Sequence, residues 1–156
     1  MIRRTHLRMW LCIALLCLNI AFIWGNSLLP GEISRSVSDW VRSVLLGFGN
    51  RPDDQMQGGH GLLRKLAHFS EFCSLGLLLS WLTRMLRTCP ADYLRLPLLV
   101  GVLCACADEM IQYFVPDRAP GILDVGIDAL GLCLGIGLMY LLLQTVKKRK
   151  LKYLEE

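Results

Sequence analysis

Nine residues of this chain stand out for their chemistry, and they fall in three groups. Lys65, His68 and Glu71 lie within seven residues. Asp108, Glu109 and Gln112 occupy little more than one helical turn, and Arg118 follows. Asp124 and Asp128 are four apart. Such a set could hold an anionic head group through Lys65 and Arg118. It could run acid/base chemistry through His68 or Glu109, with carboxylate oxygens around a hard cation such as Mg²⁺. It could relay protons. The plain alternative is a satisfied polar network that pins helices together. On that view Lys65 and Arg118 pair with acids, and the surplus acids are protonated, hydrogen-bonded or cation-bound.

The surroundings of these groups narrow the choice. The chain has 156 residues, 54% hydrophobic and 19% charged, with mean hydropathy +0.45. Soluble domains average about 45–50% apolar and about 25% charged. The length fits one domain, 1–156, and excludes a two-domain enzyme or a large transporter in a single copy. Four apolar runs carry the chemistry or flank it, and we read them as spans at about 9–27, 65–82, 96–115 and 122–143. A spanning helix needs about 20 residues. The fourth run holds twelve Leu, Ile and Val between Ile122 and Leu143. At about −0.3 to −0.6 kcal/mol each, they offset two Asp placed near one end. The first run begins with Arg3, Arg4 and Arg8, as a signal peptide does, but Ile23-Trp24-Gly25 is no small-x-small cleavage site. It reads as a retained helix. The fold class is therefore all-α: a membrane bundle of four transmembrane helices.

Positive charge sets the orientation. Arg3, Arg4 and Arg8 precede span one. Arg84, Arg87 and Arg95 lie between spans two and three. Lys147, Lys148, Arg149, Lys150 and Lys152 belong to a basic tail, 144–156, suited to anionic lipid on the cytoplasmic face. The first loop has Arg35, Arg42, Arg51 and Arg64 diluted among acids, and the last loop only Arg118. Both termini are expected in the cytoplasm, with a multipass chain between them. Eight of the nine chemical residues then sit in the outer halves of their spans, and Arg118 follows in the outer loop. Asp124, Asp128, Gly131 and Gly135 form one helical stripe, and Gly131-x-x-x-Gly135 admits a close neighbour helix. The seven cysteines lie in spans or the cytoplasmic loop, and none has metal-ligand spacing. No metal or cofactor is expected.

One more element stands in the first outer loop. Ile33, Val37, Trp40, Val41, Val44 and Leu45 make an apolar stripe among Ser, Arg and Asp. This predicts an amphipathic interfacial helix over about 33–46, after Pro30-Gly31 and ended by Gly47, lying on the membrane surface. Residues 49–61 read as loop.

The pattern Lys65-Leu-Ala-His68-Phe-Ser-Glu71-Phe72, then Asp108-Glu109-Met-Ile-Gln112 with Pro116-Asp-Arg118, then Asp124, Asp128, Gly131 and Gly135, resembles the VanZ-like family of small bacterial membrane proteins. Order and spacing match over about residues 24 to 143. Two positions depart: Asp128 stands where the family commonly has Asn, and a Ser-rich end of span one is reduced to Asn26-Ser27. The resemblance implies a cell-envelope protein linked to resistance against teicoplanin-type glycopeptides; it supplies no reaction. We prefer a non-enzymatic protein whose outward polar cluster binds a lipid-linked wall precursor or a lipidated drug. No residue is assigned a catalytic role, since no nucleophile motif or metal signature is present. The alternatives are a membrane-embedded enzyme on a lipid-linked substrate, or a proton-coupled carrier. The lipid bilayer is the expected partner; nucleic acid is excluded, because the basic residues edge apolar runs. Oligomeric state is left open.

Overall fold

The structure, a computed structural model, describes residues 2–46, 57–86, 89, 91–118 and 121–155. Among these residues every regular element is helical. They are α1 (Ile2–Ser27), α2 (Gly31–Leu46), α3 (Gln57–Met85), α4 (Asp92–Tyr113) and α5 (Ile122–Glu155). Three of them are long and apolar enough to cross a membrane: α1 over His6–Ser27, α3 over Leu62–Met85 and α5 over Ile122–Val146. Their apolar windows are mostly uncovered, with 11%, 39% and 28% of each buried inside the protein. Leu15, Leu18 and Phe22 on α1 and Leu130, Leu134 and Leu141 on α5 face outward. Water would not tolerate apolar surface on this scale; lipid does.

α3 and α5 share the largest interface. Small residues make it possible. A Cβ added at Gly131 would strike the Phe69 backbone carbonyl, one at Gly135 that of Cys73, and one at Gly76 that of Leu132. The two backbones thus approach more closely than any side chain would allow, which is how helices associate without a hydrophobic drive. Around this seam lies the core: Ile23 of α1, Phe72, Leu75 and Leu79 of α3, Ala105 of α4, Leu132 and Ile136 of α5. Asn19 Nδ2 donates to Ser74 Oγ at 2.6 Å and ties α1 to α3.

α4 stands apart from the three apolar helices. Its 22 residues include Asp92, Arg95, Asp108 and Glu109, and Pro97 lies inside it. α2 begins at Gly31, two residues before the expected start, with Ser34 N donating to the Pro30 carbonyl at 3.0 Å. Its apolar face is uncovered: Ile33, Val37, Trp40 and Val44 are exposed. The expected stop at Gly47 lies outside the described residues.

Several helix ends run beyond the expected bounds. α3 starts at Gln57, so the glycine-rich run 57–61, expected as loop, is helical. A helix already nucleated by the following apolar run extends cheaply, and that outweighs the low propensity of Gly58, Gly59 and Gly61. As a result Arg64 lies on a helix rather than in a loop. At the other end Arg84 also belongs to α3, and α5 continues as helix through 144–155, where a tail had been expected.

Candidate functional site

α3 carries Arg64, His68 and Glu71 at i, i+4 and i+7, one helical face. That face meets the end of α1, the end of α4 and the start of α5. Asn26 Nδ2 donates to Glu71 Oε1 at 2.8 Å. Gln112, fully buried, donates from Nε2 to Asp108 Oδ2 at 2.8 Å and to Ser27 Oγ at 3.2 Å. Its Oε1 accepts from Arg64 Nη2. Three helices, α1, α3 and α4, are therefore joined by these polar contacts.

The loop after α4 closes this end. Asp117 takes a positive φ of 57°, which Asp tolerates better than most residues. Gly31 N donates to the Pro116 carbonyl at 3.2 Å, and a Cβ at Gly31 would run into the Asp117 backbone. Glycine is thus required where the α1–α2 turn meets this loop. The turn then presents carbonyls to Arg118, whose Nε donates to Leu29 O at 3.1 Å and Nη2 to Asn26 O at 2.9 Å. Arg118 was expected to pair with an acid. The structure corrects this: its donors go to backbone carbonyls of the α1–α2 turn. Burial, then the neighbouring Arg64 guanidinium, pull its pKa below the ordinary arginine value. Its Nη1 is buried without a hydrogen-bond partner.

The remaining members lie beside this network. Lys65 Nζ is 3.9 Å from Asp124 Oδ1, and both side chains are partly exposed; such pairs contribute about 0–1 kcal/mol. Glu109 Oε2 accepts from Gly121 N at 2.9 Å, anchoring the entry to α5. His68 Nδ1 lies 3.7 Å from Asp108 Oδ2 and 3.8 Å from Glu71 Oε2, too far for a hydrogen bond to either. Asp128, 1% exposed, has no hydrogen-bond partner for either oxygen among the described residues.

Two clefts open on the cluster. One, of about 80 Å³, is lined by Arg64, Lys65, His68, Glu109, Asp124, Ile127 and Asp128. The other, of about 160 Å³, lies between α2 and α3; Leu29, Val37, Val41 and Leu63 form an apolar wall, with Asn26, Arg64, His68, Glu71 and Arg118 as its polar side. A family model described as VanZ/LLP1 matches residues 9–143. The chain belongs to this family. No curated protein and no solved structure matches it. Membership and three membrane-length apolar helices make it a VanZ-like membrane protein. The family match takes in the first apolar run, which the motif resemblance did not reach.

In this VanZ/LLP1 protein all nine sequence-derived residues lie at the same end of the bundle. Arg64 joins them although the sequence reading left it in a loop. Its spacing to His68 and Glu71 was the available signal. Asn26 and Ser27, noted only as the polar end of the first span, supply hydrogen bonds to the two central acidic helices.

Proposed function

We propose that α1, α3, α4 and α5 all cross the bacterial cell membrane, with both termini cytoplasmic and α2 on the outer surface. In this arrangement the polar cluster binds the head group of a lipid-linked wall precursor or a lipidated drug, and the protein contributes to resistance against teicoplanin-type glycopeptides. The span assigned to α4 rests on its length: 22 residues reach about 33 Å, enough for the hydrocarbon core. Its acids, Asp108 and Glu109, lie toward its end, beside the cluster.

The observation that carries the ligand reading is the cleft between α2 and α3. It sets an aliphatic wall against two guanidinium groups, an imidazole and a carboxylate. An amphiphile needs that pairing: a tail along Val37 and Val41, and an anionic group toward Arg64 and Arg118. The uncovered stripe Ile33–Val37–Trp40–Val44 continues the same wall toward lipid.

The test is binding of teicoplanin, and separately of a lipid-linked wall precursor, to the full chain in nanodiscs. Wild type is expected to bind one of them, and Val37→Glu with Val41→Glu is expected to weaken binding about tenfold or more. These positions lie outside the α1–α3–α5 core, so helicity and abundance should hold. Equal binding by the double variant would contradict the reading.

A further inference from the structure

We infer that His68, Asp108 and Asp128 form a binding site for a divalent transition-metal ion of the zinc or manganese class. Each residue offers one ligand atom, and the three atoms lie within 4.8 Å of one another. They come from three different helices, α3, α4 and α5. His68 Nδ1 and Asp108 Oδ2 are 3.7 Å apart. Two atoms at that separation can both reach an ion at about 2.1 Å, subtending about 120°.

The independent observation is the set of buried atoms left without partners. Asp128 is 1% exposed and Asp108 0% exposed. Both oxygens of Asp128, Oδ1 of Asp108, and Nδ1 of His68 make no hydrogen bond. Buried carboxylate oxygens are nearly always paired, because desolvation without a partner is costly. The nearby cationic side chains bond elsewhere: Arg64 to Gln112, Arg118 through Nε and Nη2 to carbonyls, Lys65 to Asp124, with Arg118 Nη1 unpaired. Among the described residues, no group donates a hydrogen bond to the Asp128 oxygens, Asp108 Oδ1 or His68 Nδ1.

The donor set selects the ion. An imidazole disfavours Mg²⁺ and Ca²⁺, and carboxylates disfavour Cu(I). Two carboxylates and a neutral imidazole around a dication sum to zero charge, so the filled site can be buried without a net charge. Gln112 Nε2 donates to Asp108 Oδ2, the oxygen 3.7 Å from His68 Nδ1, and so holds this carboxylate in place, as groups behind metal ligands do. The cleft past Lys65 and Asp124 leads from the surface to His68 and Asp128. Water can complete the coordination.

The inference does not depend on drug resistance, since it concerns the isolated protein. The full chain in nanodiscs is stripped with a chelator, equilibrated with Zn²⁺ or Mn²⁺, and separated from free ion. Bound metal and melting temperature are then measured. The expected result is about one ion per chain and a metal-dependent rise in melting temperature. Asp128→Asn and His68→Gln should each lose at least about tenfold in affinity, while Arg84→Leu, at the far end of α3, binds as wild type. Folded wild-type protein that holds neither ion, with no shift in melting, would overturn the site even if both variants fail to fold. So would undiminished binding by a folded Asp128→Asn protein.

Discussion

The two ends of α3 handle polar groups in opposite ways. Toward α2, His68 and Glu71 face Asp108 and Asp128, and several buried acceptors there have no donor. Toward the α3–α4 connection, Arg84 sits 4.7 Å from the Tyr93 ring and 5.9 Å from the Tyr140 ring. That end also holds the larger cavity, about 580 Å³, lined by Leu94, Leu98, Ile136 and Gly137 among others. Volume and chemistry are therefore separated. The roomy end is aliphatic and its cation is cushioned by aromatic faces; in a bilayer it suits an acyl chain. The tight end concentrates unsatisfied groups. A stable bundle has no need of that surplus, so function is sought at the tight end.

The comparison can be broken most severely at the seam that holds both ends in register. Gly131→Leu or Gly135→Leu would drive a side chain into the backbone of α3, which cannot rotate away. The loss should exceed the about 1–3 kcal/mol typical of overpacking, and both variants should fail to accumulate in membranes. Gly137→Leu, whose Cβ meets nothing within 4 Å, should accumulate as wild type. Immunoblots of the membrane fraction separate the two outcomes.

At the polar end, Asn26→Ala removes the one hydrogen-bond donor to the Glu71 carboxylate among the described residues. Leaving a buried acceptor unpaired costs about 1–3 kcal/mol, readable as a shift in an SDS-unfolding titration. At the aliphatic end, Arg84→Leu should cost less, about 0.5–1 kcal/mol for the lost cation–π contact. It should leave glycopeptide susceptibility unchanged. A larger loss for Arg84→Leu than for Asn26→Ala would reverse the contrast between the ends.

Much of this was legible in residue spacing. Periodicity placed the acids of α4 and α5 on helices, and Asp124–Asp128–Gly131–Gly135 gave the face that packs on α3. What escaped depends on backbone geometry. Arg118 looked like a partner for acids because charge is visible in sequence, whereas the carbonyls that the α1–α2 turn presents to it are not. Arg64 was missed because three nearby glycines read as a helix breaker, although a long helix carries them. The absence of donors around Asp128 emerges only when α3, α4 and α5 are assembled.

We propose the polar end as a ligand site rather than a brace. Its most direct test is teicoplanin and vancomycin susceptibility of a sensitive bacterium expressing wild type, Glu109→Gln or Asp124→Asn, with membrane abundance measured alongside. The account predicts protection against teicoplanin by wild type, lost in both variants at equal abundance. Full protection by equally abundant variants would contradict it. Failure of both variants to accumulate would also contradict it, by making the cluster a brace.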